Sequence, residues 1–248
     1  RYGFELLTRA LELGHTFSMN ELGYHFLRED TPDHEPRRGL RYLNESAARG
    51  DIYGFHNLGL VYDQGLGGVE PDAEEARRWY AAAAEGGHPH APINLGRMYF
   101  QGRVGGGPDL GRAIEWYDRG LAAGGAWGGA NAAWIIANRR PAGYAPADAA
   151  VRAAKAAALN DAEAAAAARE ILAALPADAL DRGTQLLLRD LGREVTVDGV
   201  IGPRTQAAVT AILEEEGVAL PAEEGAGARL DALAEAFWRR ERFRIDLY

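Results

Sequence analysis

The chain has no cysteine among its 248 residues. That excludes disulfides, thiolate metal sites and a cysteine nucleophile, and it leaves both reducing and oxidising compartments open. Lysine is nearly missing as well: Lys155 stands alone, and a net charge of −9 leaves the chain acidic both before and after Pro176. Nucleic-acid binding needs clustered Lys and Arg to neutralise phosphates, so no nucleic-acid partner is expected. No apolar run approaches the ~18 residues of a membrane helix, so no membrane insertion is expected. Serine occurs only at Ser18 and Ser46, and neither sits in a nucleophile elbow. What is present is ordinary for a globular protein, with 47% hydrophobic and 25% charged residues, and an Ala/Gly/Arg bias of the kind a GC-rich genome produces. Arg1 follows no methionine and Tyr2 to Gly14 already reads as helix, so the chain is expected to be part of a longer protein, with any signal peptide or upstream catalytic domain lying outside it.

A repeat organises the first two thirds. Leu22-Gly23, Leu58-Gly59 and Leu95-Gly96 recur, each followed three residues after the glycine by an aromatic, Phe26, Tyr62 or Tyr99. A second column keeps the same step through Gly39, Ala76, Ala113 and Ala150, with Trp79-Tyr80 and Trp116-Tyr117 beside it. Two independent columns sharing a period signal stacked supersecondary units. Each unit reads as helix, glycine-rich turn, helix. In the second, helix A runs from about Gly54 to Gln64, Gly65 to Gly68 stop it, and Pro71-Asp72 start helix B, Asp72 capping the free amides. The third repeats this with Gly102, Gly105 to Gly107 and Pro108-Asp109. The fourth is degenerate: Ala132-Ala133 replaces Leu-Gly, Ala153-Ala154 replaces Trp-Tyr, and Pro141 to Pro146 replaces the glycine turn.

The pattern of Leu-Gly, Tyr, Gly-rich turn, Asp, Ala and Trp-Tyr resembles the SEL-1-like repeat, a relative of the tetratricopeptide repeat. The resemblance implies a right-handed solenoid of helical hairpins over residues 1–175: a partial unit at 1–14, units at about 15–50, 51–87, 88–124 and 125–161, and a closing helix at 162–175. Scaffolding and protein–protein interaction are what such a repeat implies.

Past Pro176 the composition changes. Asp178 to Gly192 reads as an amphipathic helix with Leu180, Leu187, Leu188 and Leu191 on its apolar stripe. Then come Asp198, Gly199, Gly202, Pro203, Arg204 and Thr205, a tight turn followed by an abrupt helix start. With Gln185, Leu188, Gly192, Ala208 and Val209 around them, these residues resemble the peptidoglycan-binding-domain-like module, a small three-helix fold. Its third helix is displaced behind Ala219 to Gly227, and the tail Phe237 to Tyr248, with Arg239, Arg240, Arg242 and Arg244 among aromatics, lies outside the pattern. The resemblance assigns 176–248 to this module and implies a bacterial, periplasmic or cell-envelope protein with peptidoglycan as a candidate ligand.

No catalytic residue, cofactor or metal site is expected. His88 and His90 flank Pro89 but lack a third ligand nearby, and His15, His25, His34 and His56 occupy different repeat positions, so no histidine cluster is implied. No carboxylate pair has a glycosidase context. Recognition remains. If Leu-Gly and Tyr face helix B, the other flank of helix A presents columns on the concave side: Glu21, Asn57, Asn94 and Asn131; Tyr24, Leu60, Arg97 and Trp134; Arg28, Gln64, Gln101 and Asn138. Their amides either bond an extended peptide or tie turns within the solenoid, and Arg97 has the chemistry to pair a partner carboxylate.

The expectation is therefore an all-α, non-catalytic scaffold whose concave face, through Tyr24, Asn57, Leu60, Gln64, Asn94, Arg97, Gln101, Asn131 and Trp134, holds a protein or peptide partner, while the Asp198–Thr205 module binds peptidoglycan or docks to a partner. The sequence leaves two other readings open. One is the accessory region of a larger bacterial enzyme such as a caspase-like peptidase; the other is a cytosolic interaction regulator.

Overall fold

The computed structural model describes residues 7, 9–10, 15–29, 32–221 and 225–245, the last four by backbone alone. Most of the expected partial unit at 1–14 lies outside the described residues. Among those described there are twelve α-helices, one 3-10 turn and no strand. Compactness divides the chain into two units, Arg1–Ala113 and Ile114–Tyr248. The expected division at 175/176 rests on sequence pattern instead.

The first unit is built of hairpins: α1 (Thr16–Leu27) with α2 (Pro36–Ala48), α3 (Ile52–Gln64) with α4 (Ala73–Glu85), then α5 (Ala91–Gln101). The turn between α3 and α4 shows why the sequence folds this way. Gly65 ends α3 at φ +74°, which a side chain would resist, and its N–H reaches the Val61 carbonyl at 2.8 Å. Asp72 then caps α4, accepting from the amides of Glu74 (2.9 Å) and Glu75 (3.0 Å). The same backbone bond closes the first three hairpins: the amides of Glu35, Asp72 and Asp109 donate to the carbonyls of Phe26, Tyr62 and Tyr99 at 3.0, 2.9 and 2.9 Å. The sequence period is thus a period in hydrogen bonding.

Leu22, Leu58 and Leu95 are buried, each contributing roughly 1.5–3 kcal/mol of apolar transfer. The glycine after Leu58 has a steric cause. A Cβ at Gly59 would stand 2.5 Å from the ring of Tyr80, which is completely buried on α4. Small against large at this point lets the paired helices close.

The second unit begins within α6 (Leu110–Ala122) and continues with α7 (Ala126–Arg139), α8 (Pro146–Ala157), α9 (Ala162–Ala174), α10 (Ala177–Asp190), α11 (Pro203–Glu215) and α12 (Ala226–Ile245). Helix α8 is its axis, since α7, α9, α10 and α12 all pack on it. A helix enclosed on so many sides has space for little more than methyl groups, and Ala147, Ala149, Ala150, Ala153, Ala154, Ala156 and Ala157 are all buried. The substitutions that make the fourth unit degenerate are therefore what allow α8 to sit at the centre.

The C-terminal helix is held by its aromatic and arginine side chains. The Trp238 indole donates to the Lys155 carbonyl at 2.8 Å, and the Lys155 ammonium lies 3.8 Å above the Phe237 ring while pairing with Asp190 at 2.9 Å. Arg240 reaches the Leu191 carbonyl at 2.8 Å and the Glu216 carboxylate at 2.7 Å. These residues fasten α12 to α8 and to the ends of α10 and α11. The side chains of Arg242 and Arg244 lie outside the described residues.

Candidate functional site

In the first unit the expected recognition columns largely satisfy one another. Asn57 donates to the side chain of Asn20 at 2.6 Å, so Asn20 and not Glu21 is its neighbour in the preceding hairpin. Asn94 and the His56 ring are 3.1 Å apart. Arg97 pairs at 2.8 Å with Asp63, whose side chain is only 2% exposed. Arg103 pairs with the same carboxylate and also donates to the Asp63 carbonyl at 3.2 Å, and the Tyr80 hydroxyl donates to the Asp63 carboxylate at 3.3 Å. Burial, reinforced by the Asp63 charge, pushes the Tyr80 phenol up, which keeps it a donor. The arginine expected to reach for a partner thus already holds a carboxylate of its own chain. Tyr24 and Leu60 remain half-buried at the surface, and Gln64 and Gln101 are exposed.

The expectation of no histidine cluster needs correction. His56 and His88 stack with ring centroids 4.1 Å apart, His90 lies 6.0 Å from His88, and Tyr53 meets His88 edge-on at 4.9 Å. His88 accepts from the amides of His90 (3.3 Å) and Ala91 (3.2 Å), acting as a cap for α5. Burial, with the neighbouring histidines adding to it, lowers His56 to about 3 and His88 to about 4, so both are neutral. A second histidine brought in from the facing hairpin is invisible to local spacing. Among the described residues no group of three or more His, Cys, Asp or Glu has the geometry to hold a metal.

In the second unit the same columns open. Asn131 and Trp134, with Asn138, line a pocket of about 740 Å³ between α7 and α9, together with Trp127, Tyr144, Arg140, Glu170 and Ile171. Trp127 is 38% exposed and Trp134 42%, well above the usual burial of so large a side chain. Sequence reasoning found Asn131, Trp134 and Asn138 from the repeat register, and missed Trp127, Tyr144 and Glu170, whose approach depends on the closing helix lying alongside α7.

The Asp198–Thr205 motif is a built turn. The Gln185 side chain, buried on α10, donates to Asp198 (2.7 Å) and to the Val200 carbonyl (3.0 Å), and accepts from the amides of Asp198 (3.0 Å) and Gly199 (2.9 Å). The Gln185 bond to its carboxylate, followed by the Val200 amide at 2.9 Å, holds the Asp198 carboxyl below its usual range. Gly199 takes φ +80° and Thr205 is buried, so Asp198, Gly199 and Thr205 serve the architecture. What this turn offers outward is Val200, 65% exposed, with Pro203 and Arg204 at the start of α11. Gly202 is the N-cap residue of α11 and half-buried.

Residues 16–51, 56–88 and 89–125 match the Sel1 repeat, and residues 182–245 match a module described as predicted peptidoglycan domain. Past the last matched repeat, residues 126–157 still form a helical hairpin. Among solved structures the chain is similar to a protective antigen present in uropathogenic Escherichia coli strains displaying an SLR fold, with 24% identity, a TM-score of 0.56, and coverage of 93% of this chain and 48% of that one. The chain thus spans about half the length of that relative. It is also similar to a Sel1 repeat protein from Oxalobacter formigenes, with 19% identity, a TM-score of 0.49, and coverage of 79% and 84%. No curated protein matches.

Proposed function

We propose, from the premise that this chain carries three Sel1 repeats followed by a peptidoglycan-binding-type domain, that it is a non-catalytic scaffold joining a protein or peptide partner to the bacterial cell wall. The observation that carries the reading is the contrast between the two flanks of the repeat helices. Leu22, Leu58 and Leu95 are buried, while Tyr24, Leu60, Gln64 and Gln101, on the other flank of the same helices, stay at the surface. A row of amide and apolar side chains at one residue per hairpin suits an extended peptide backbone, which needs donors and acceptors at a regular step. Both kinds of module are recognition types rather than catalytic ones.

The second half of the reading assigns the cell-wall contact to the C-terminal module, through the Val200, Pro203 and Arg204 surface, and the cell envelope as its location. Arg204 ion-pairs with no described residue and so keeps its donors for an acidic group. No helix among the described residues is long and apolar enough to cross a membrane. Sedimentation with insoluble peptidoglycan tests the assignment: the purified chain is expected in the pellet at low salt, and Arg204→Ala in the supernatant. A wild-type chain that stays in the supernatant removes the cell-wall contact from the reading.

A further inference from the structure

We propose that the pocket between α7 and α9 is a saccharide site for a β-1,4-linked chain of N-acetylated hexosamines. This rests on the cell-wall part of the scaffold reading and places a sugar contact on the hairpin and helix past the matched repeats rather than on the Asp-Gly turn.

The tryptophans supply the first argument. Trp127 and Trp134 are seven residues apart on α7, two helical turns and about 10.5 Å along the axis, so they share a face. An extended β-1,4-linked chain flips each ring relative to the last, so every second sugar presents the same face, and one disaccharide repeat has close to that length. Both indoles keep more than a third of their surface in contact with solvent, and a broad aromatic face matches the C–H face of a pyranose ring.

Polar groups supply the second. The side chains of Asn131 and Glu170 hydrogen-bond to no described residue, and Asn138 donates to the Trp134 carbonyl at 2.9 Å, which leaves its oxygen as an acceptor. The lining therefore mixes acceptors, led by the Glu170 carboxylate, with donors from Asn131 and Arg140. Hydroxyl and acetamido groups answer both kinds. A proline-rich strand, the other common occupant of aromatic grooves, lacks the N–H of each proline and would leave Glu170 without a donor.

Charge supplies the third. Arg140 and Glu170 balance, so the lining is neutral and suits an uncharged ligand. A cationic ligand is disfavoured because arginines already sit near the rings, Arg139 at 5.7 Å from the Trp134 centroid and Arg152 at 5.5 Å from that of Tyr144.

Calorimetric titration of the full chain with chitotetraose, and in parallel with a decaproline peptide, tests the site. Chitotetraose is expected to bind saturably. Trp134→Ala should weaken it about tenfold or more, Glu170→Gln about threefold, and Trp134→Phe should restore most of the loss, with circular dichroism melts showing each variant folded. Three results overturn the proposal: no saturable heat with chitotetraose, equal affinity in Trp127→Ala, Trp134→Ala and the parent, or saturation by decaproline alone. Sedimentation with peptidoglycan separates the two readings. Retention without chitotetraose binding leaves the module reading standing and sinks this site, while chitotetraose binding lost in Trp134→Ala without retention does the reverse.

Discussion

The two compact units treat one column of side chains in opposite ways. In residues 15–113 the helix-A face is knitted to itself, through Asn57 with Asn20, Asn94 with His56, and Arg97 with Asp63. In residues 114–245 the equivalent positions, Asn131 and Trp134, line an open pocket. The hairpins with the fullest motif use their polar positions for cohesion, and the hairpin with the weakest motif leaves them available. The weakened repeat signature thus coincides with the more open surface, where the pocket is lined from α7 and α9 while Ala153 and Ala154 of α8 stay buried in the core.

Acid should expose this contrast most strongly. All six histidines lie in the first unit. With His56 and His88 lowered to about 3 and 4, the unfolded chain takes up protons near pH 6.5 that the folded chain refuses. Their contribution to stability is therefore complete above about pH 6.5 and is lost as pH falls toward 3. Between pH 7 and 5, amide exchange corrected for intrinsic rate should show protection falling in residues 15–113 and holding in 126–241; equal loss in both would erase the distinction. A His56→Gln, His88→Gln double variant should flatten the profile.

Asp63→Ala should come next, costing about 2–3 kcal/mol in denaturant unfolding, less than the ~3–5 of a fully buried pair because Arg97 and Arg103 reach water. Gly59→Ala should cost about 1–3 kcal/mol, since its new methyl meets the Tyr80 ring. The smallest effect is the sharpest discriminator. Asn57→Ala should cost about 1 kcal/mol and Asn131→Ala less than ~0.5, as only the first breaks a bond within the fold. Equal costs would mean that both units use the column alike.

Much of the fold could be read from the sequence because its determinants are local. Gly65 ending α3, Asp72 capping α4 and Pro203 opening α11 each act within one turn of chain. The Leu-Gly register led to Asn131 and Trp134 for the same reason. What escaped depends on which hairpins meet. His56 and His88 are 32 residues apart and hold different places in their hairpins, so no column contained both. Asp63 belongs to no repeat column, and its two arginine partners arrive only with α5 and the turn that follows it. The Asp198-Gly199 motif was legible as a pattern, yet its role as the partner of Gln185 required the fold.

Lys155 carries a practical consequence. As the single lysine, it is the one side chain that amine-directed reagents can modify, and its ammonium is held against Asp190 and the Phe237 ring. Acylation rate at this nitrogen would therefore gauge how often the last helix lifts from its seat, turning one residue into a built-in sensor for breathing of the C-terminal end.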